Sequence, residues 1–110
     1  MNRLTRVNQL LKKEIAEIML KELNLEQGLT TLTRVKCSKD LKKADVFISV
    51  IPEKEFKSAL DYLNRQIYHI QKLLNKKLKM KNVPKIKFVK ENLTTKAANI
   101  EKILKNLKER

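Results

Sequence analysis

The fold is decided by the stretch from residue 30 to residue 51, which reads TTLTRVKCSKDLKKADVFISVI. Its first part, residues 30–37, is rich in β-branched residues, which favour an extended backbone. Its last part, residues 44–51, alternates in the manner of a strand with one buried face. The more apolar of its two faces contains Ala44, Val46, Ile48 and Val50. A short polar connection, residues 38–43, joins the two parts and predicts an antiparallel hairpin.

Helical periodicity precedes this hairpin. Apolar residues recur at steps of three and four from Leu4 to Ile18, which predicts an amphipathic helix over about Arg3–Glu22. The chain's only glycine, Gly28, follows in the loop before the first strand. Glycine at that point suits a left-handed backbone angle.

A longer helical pattern follows the hairpin. Pro52 ends the second strand, and apolar residues then recur from Phe56 to Leu78, which predicts a long helix that begins near Glu53. Periodicity leaves open whether this is one straight helix or two helices joined by a kink. Lys85–Lys90 then alternates like a third strand, and Asn92 or Thr94 could cap a final helix. The apolar face of that helix would hold Ala97, Ile100, Leu104 and Leu107.

The predicted order is therefore helix, strand, strand, long helix, strand, helix. No linker or internal repeat divides the 110 residues, so we expect one domain spanning 1–110. We predict an α+β fold in which a three-stranded sheet is covered by helices.

The charge balance is the strongest functional signal. Lysine and arginine total 26 against 12 acidic residues, a formal net charge of +14. Such a charge favours a polyanionic partner, and nucleic acid is the leading candidate. An anionic membrane surface and a simple lysine bias are the alternatives.

Much of this charge lies between residues 71 and 90, which contain eight lysines and no acid. On a helix, a single face opposite the apolar stripe would carry Arg65, His69, Lys72, Lys76 and Lys79. This row predicts an RNA-facing surface that contacts phosphates.

Nothing in the sequence indicates catalysis. Cys37 and His69 are the only cysteine and histidine, and no glycine-rich phosphate loop is present. We therefore expect no enzyme, no metal site and no cofactor. With no long apolar run, a cytoplasmic protein is the simplest expectation.

Several motifs resemble those of a known family. Residues 31–35 (TLTRV), 38–41 (SKDL) and 44–50 (ADVFISV) are similar, in that order, to the central stretch of the ribosome-binding factor A family. Residues 70–78 and 83–88 (VPKIKF) are similar to its later part. The resemblance covers nearly the whole chain and implies a type II KH-like domain with order α-β-β-α(kinked)-β-α.

One position departs from the family pattern. The family usually kinks its central helix at an alanine-any-glycine step, where this chain has Gln66, Ile67 and Tyr68, and Asn75 stands at its later glycine position. The resemblance implies a kink that is shallower, displaced or made by packing.

The resemblance also implies a function. It implies a cytoplasmic factor that binds the immature small ribosomal subunit and its ribosomal RNA transiently and assists late RNA maturation, including in the cold. We expect the protein to be a monomer. The predicted RNA contacts are Arg65, Lys72, Lys76, Lys77, Lys79 and Lys81, with Lys39 and Arg6 as weaker additions. A general KH-type RNA-binding protein, a ribosomal protein and a basic membrane-surface protein are the alternatives.

Overall fold

A computed structural model describes residues 2–25 and 28–92. The elements in chain order are α1 (Arg3–Glu22), β1 (Leu29–Cys37), β2 (Lys43–Ile51), a 3-10 turn (Glu53–Glu55), α2 (Phe56–Lys77) and β3 (Lys85–Lys90). The predicted helix and strands up to β3 are confirmed within a few residues at each boundary. The predicted final helix falls on residues 93–110, outside the described residues.

The three strands form one sheet in the order β1-β2-β3. β1 pairs antiparallel with β2, as the short connection predicted, and β3 pairs parallel with β2 on its other side. Because a parallel pair needs a crossover connection, α2 must cross one face of the sheet between β2 and β3. A bulge between Leu32 and Arg34 shifts the register of β1.

The core lies between this sheet face and the two helices. The predicted apolar face of β2 is confirmed, since Ala44, Val46, Ile48 and Val50 are all buried. α1 contributes Val7, Leu11, Ile15, Ile18 and Met19, and α2 contributes Leu63, Ile70 and Leu74. Burial of these aliphatic side chains is the main stabilising contribution in a chain without tryptophan.

Gly28 adopts the left-handed backbone conformation expected of it, with φ of +64°. A Cβ at this position would lie 2.6 Å from the carbonyl oxygen of Ile51, so the loop before β1 packs directly on the end of β2. Both the backbone angle and the close approach require glycine here.

α2 is helical without interruption through Gln66, Ile67 and Tyr68, the position where the family resemblance implies a kink. None of these three residues lacks an N–H or has the backbone freedom of glycine, so the helical hydrogen bonds continue through them. The helix ends at Lys77, and Leu78 is extended, with φ of −92° and ψ of 130°. The expectation that Lys79 continues the basic row of the helix is therefore wrong, because Lys79 lies beyond the last turn.

Candidate nucleic-acid interface

The solvent-facing side of α2 carries a row of cationic side chains. Arg65, Lys72 and Lys76 are exposed and lie on the side of the helix opposite its buried residues. None of the three forms an ion pair with another residue in the described part of the chain. At 1.5 Å per residue the row is about 16 Å long, so it can meet several phosphates of one nucleic-acid strand. We call Arg65, Lys72 and Lys76 the basic face of α2.

His69 lies beside this row but has a different environment. Its Nε2 is 4.0 Å from Oε2 of Glu22 at the end of α1, and both side chains are about half exposed. The contact connects the two helices at the surface.

Tyr68 is 83% exposed and stands on the helix surface between Arg65 and Lys72. Tyr62 on the same helix is partly buried, and its hydroxyl accepts a 3.0 Å hydrogen bond from the backbone N–H of Asn24. Tyr68 instead presents an aromatic ring to solvent between two cations, an arrangement suited to stacking on a base.

Lys77 was predicted to contact RNA, and the structure places it between the helices. Its Nζ lies 3.3 Å from Oε2 of Glu17 and 3.7 Å from Oε2 of Glu14, both on α1. Two carboxylates therefore lie close to the ammonium group of a side chain that is 35% exposed. Lys77 is separated from the basic face of α2 and is largely neutralised.

Lys79 and Lys81 follow α2 and line an open groove of about 800 Å³. Arg3 at the start of α1 and Lys42 from the β1–β2 connection line the same groove, together with Asp40. α1 and the hairpin loop therefore each contribute a cationic side chain to this groove.

The hairpin loop that forms one wall of the groove is held by its own hydrogen bonds. The hydroxyl of Ser38 donates to Oδ1 of Asp40 at 2.6 Å, and the backbone N–H of Lys42 donates to the same oxygen at 3.0 Å. The hydrogen bond from Ser38 is the main cause that holds the pKa of the Asp40 carboxyl below its ordinary value of 3.8. Leu41 adopts a left-handed conformation with φ of 60° to complete the turn.

The two weaker candidates lie at the edges of this region. Lys39 is exposed in the hairpin loop, and Arg6 is exposed one turn into α1. Neither lines the groove.

Sequence reasoning missed two polar side chains that hold elements of the fold together. The Gln71 side chain accepts from the N–H of Ile86 at 2.8 Å and donates to the carbonyl of Pro84 at 3.1 Å, which fixes α2 against the start of β3. A glutamine on a lysine-rich helix gives no periodicity signal, so only the folded structure shows this role.

The second missed residue is Glu91, just after β3. Its carboxylate accepts from Nε of Arg34 at 3.0 Å, from Nη2 of Arg34 at 3.2 Å and from the hydroxyl of Thr33 at 2.9 Å. The Arg34 guanidinium also lies 3.9 Å from the centroid of the Phe47 ring. This cluster joins all three strands on the sheet face away from the helices. Hydrogen bonding from Arg34 holds the pKa of Glu91 below its ordinary value of 4.5.

In the part of the chain that the structure describes, no group of three or more His, Cys, Asp or Glu side chains could hold a metal ion. No described helix is long and apolar enough to cross a membrane. Cys37 is buried, and burial raises the pKa of its thiol.

The fold and surface together define a KH-like α+β domain that presents a cationic helix. A sequence profile of ribosome-binding factor A matches residues 3–104. The ribosome-binding factor A of Halothermothrix orenii is 37% identical over 97% of this chain and 89% of its own length. That of Chlorobium phaeobacteroides is 36% identical over 94% and 91%. The chain belongs to the ribosome-binding factor A family.

Solved structures agree with this assignment. The crystal structure of the Thermus thermophilus factor aligns with a TM-score of 0.70 at 23% identity, over 79% of this chain and 93% of that one, and so supports the fold. A homology model of the Thermus thermophilus factor, fitted into a cryo-EM map of a 30S complex, aligns with a TM-score of 0.63 at 26% identity, over 74% and 88%. Membership of a family of binding factors also confirms the expectation of a non-enzymatic protein.

Proposed function

We propose that this chain is a factor that binds the small ribosomal subunit during its assembly, contacts the ribosomal RNA and assists late RNA maturation, including in the cold. Family membership supports this proposal, as does the 30S complex of the Thermus thermophilus factor. The observation that carries it is the basic face of α2, where Arg65, Lys72 and Lys76 stand exposed without a carboxylate partner among the described residues.

Unpaired cations on a rigid helix suit RNA better than isolated lysines on loops do. Each cation set against a phosphate releases a condensed counterion, and this release supplies most of the sequence-independent affinity. The buried residues of α2 fix the helix against the sheet, so the row needs little ordering on binding.

The proposed contacts are Arg65, Lys72, Lys76, Lys79 and Lys81, with Lys39 and Arg6 at the edges. Lys77 is assigned a minor part, because Glu14 and Glu17 already neutralise its ammonium group. Tyr68 adds a stacking position within the row. Affinity should come mainly from phosphates and shape, with a base contact at Tyr68.

We place this activity in the cytoplasm and propose that the factor acts as a monomer. The proposed function involves no small-molecule substrate and no membrane. The positive charge of the groove residues and of the basic face of α2 favours binding to RNA.

Co-sedimentation with purified subunits tests the proposal. The protein is mixed with immature small subunits, mature small subunits and large subunits, each at low and at moderate salt. Preferential retention on immature or free small subunits supports the assembly-factor function. Equal retention on all three kinds of subunit would indicate a general KH-type RNA-binding protein and would contradict the proposal.

A salt wash separates an assembly factor from a permanent ribosomal protein. An assembly factor bound largely through exposed cations should leave the subunit in a high-salt wash. Retention on mature subunits after that wash would instead identify a structural component of the ribosome.

A further inference from the structure

A second concentration of positive charge lies beyond the end of α2, in the groove described above. Four cationic residues line this groove against one acid, Asp40; they are Arg3, Lys42, Lys79 and Lys81. None of the four cationic side chains forms an ion pair with another described residue. The groove therefore has an excess of positive charge that the described part of the fold does not neutralise.

Three separate chain segments meet at this groove, and hydrogen bonds hold two of them together. The N–H of Lys85 donates to the carbonyl of Lys42 at 2.9 Å, so the chain that enters β3 passes beside the hairpin loop. Gln71 holds the same segment to α2 through Pro84 and Ile86. The connection between α2 and β3 is thus held beside the hairpin at its β3 end, and Lys79 and Lys81 line the groove together with Lys42.

The opposite wall is equally well defined. Hydrogen bonds from Ser38 and from the backbone of Lys42 to Asp40 fix the loop that carries Lys42. The helix α1 begins at Arg3, with Asn2 as its cap, so the third cationic segment is the rigid end of a helix. Because the backbone of these segments is fixed, binding needs to order only the cationic side chains, which favours a specific contact over a diffuse one.

The groove also has apolar surface. Leu41 and Met80, both partly buried, line it between the cations, and Asn82 adds an amide. Cations arranged around a small apolar surface suit a nucleotide segment, whose phosphates need positive charge while its sugar and base edges can contact carbon. A peptide rich in acidic residues would satisfy the charges but would leave this apolar surface without a matching partner.

We propose that this groove binds the phosphodiester backbone of an RNA segment at a point separate from the basic face of α2, so that the factor holds RNA at two positions. This inference rests on the proposed function, because it assumes that the partner is RNA. Arg3 and Lys42, from α1 and the hairpin, complete the site together with Lys79 and Lys81 from the connection after α2.

The test uses the full chain and deproteinised small-subunit ribosomal RNA. Lys42→Gln combined with Lys81→Gln removes two groove cations from two segments, both at exposed positions. Lys54→Gln combined with Lys57→Gln is the matched control, since it removes the same charge from exposed positions at the other end of α2. The affinity of each variant for RNA is measured as a function of salt concentration.

We expect the groove variant to lower the slope of log affinity against log salt by about 1.4, since each lost phosphate contact on a single strand contributes about 0.7. The control should keep the wild-type slope, and both variants should keep the wild-type thermal midpoint. A groove variant that behaves like the control would overturn this inference and the assignment of Lys81 as a contact, while leaving RNA binding through the basic face of α2 in place. A wild-type protein that binds no small-subunit RNA would overturn both.

Competition with inorganic phosphate tests whether the groove binds an RNA segment or any small anion. An RNA segment held at several points should resist a large excess of free phosphate at constant ionic strength. If phosphate alone lowers the wild-type affinity to that of the groove variant, the groove is a small-anion site and the RNA assignment is wrong.

Discussion

The ammonium of Lys77 lies 3.3 Å from the carboxylate of Glu17 across the α1–α2 interface, while the adjacent Lys76 is exposed and has no ion pair among the described residues. The two consecutive lysines thus have different roles. One connects the helices, and the other is available to a partner. The structure separates them although their sequence context is nearly the same.

Substitution of these neighbours should separate stability from binding. Lys76→Gln should reduce the salt dependence of RNA binding by about 0.7 in slope and leave the unfolding midpoint unchanged. Lys77→Gln should cost about 0.2–1 kcal/mol in the free energy of unfolding, the usual range for a partly exposed ion pair, with little effect on binding. Urea unfolding and RNA titration measure the two effects. The assignment of Lys77 would be wrong if its substitution weakened RNA binding as much as that of Lys76.

Tyr68 should contribute to RNA binding and not to folding. Tyr68→Leu removes a ring that is 83% exposed, so the free energy of unfolding should stay within about 0.5 kcal/mol of the wild type. Loss of a base stacked on the ring should weaken RNA binding by about 1–3 kcal/mol. Tyr68→Phe is the control and should bind like the wild type. Equal affinities for the leucine and phenylalanine variants would rule out stacking at this position.

Gln71 should be a structural residue despite its place among the lysines. Gln71→Leu leaves the N–H of Ile86 and the carbonyl of Pro84 without their side-chain partner, which should cost about 1–3 kcal/mol in the free energy of unfolding. Gln66→Leu is the control on the same helix, because no side-chain hydrogen bond of Gln66 is formed within the described residues. Urea denaturation of both variants compares them directly. Similar losses in the two variants would show that the hydrogen bonds of Gln71 are not the cause.

Glu91 should make stability depend on acid pH. Hydrogen bonding from Arg34 lowers its pKa in the folded protein, so its contribution is complete above its ordinary value of 4.5 and is lost as the pH falls through the lowered folded pKa. Glu91→Gln should therefore be less stable than the wild type at neutral pH and approach it in strong acid, below the lowered folded pKa. Unfolding midpoints under both conditions test this. A constant difference between the two proteins would exclude the ionised carboxylate as the source.

Gly28→Ala should destabilise the chain by at least about 1–2 kcal/mol, since alanine resists the left-handed angle and its Cβ would meet the carbonyl oxygen of Ile51 at 2.6 Å. Leu29→Ala, at the exposed neighbouring position, is the control and should have a small effect. Thermal unfolding of the two variants is sufficient. A tolerated alanine at position 28 would contradict the described loop.

The secondary structure was accessible from the sequence because α1, α2, β2 and β3 each carry an apolar period and β1 is rich in β-branched residues. α1 was predicted with its observed bounds, and the alternation of β2 identified its buried face. The helical spacing of three and four residues also predicted which side of α2 is exposed. Arg65, Lys72 and Lys76 were therefore correctly placed on one face.

Features that depend on contacts between distant segments were not accessible in this way. No glycine or proline marks the end of α2 at Lys77, so Lys79 was placed on the helix in error. The partners of Lys77 come from α1, and the groove at Lys79 and Lys81 requires α1 and the hairpin to meet the same connection. These juxtapositions are set by packing and not by local periodicity.

The most direct test of the central claim is the affinity for purified small ribosomal subunits of a Lys72→Glu, Lys76→Glu variant. Its matched control is Lys54→Glu, Lys57→Glu, which changes the charge equally at the other end of α2. Reversal of Lys72 and Lys76 should strongly weaken binding and lower its salt dependence, while the control retains most of the affinity and both variants unfold like the wild type. Equal affinities for the two variants would contradict the claim that the basic face of α2 binds the ribosomal RNA.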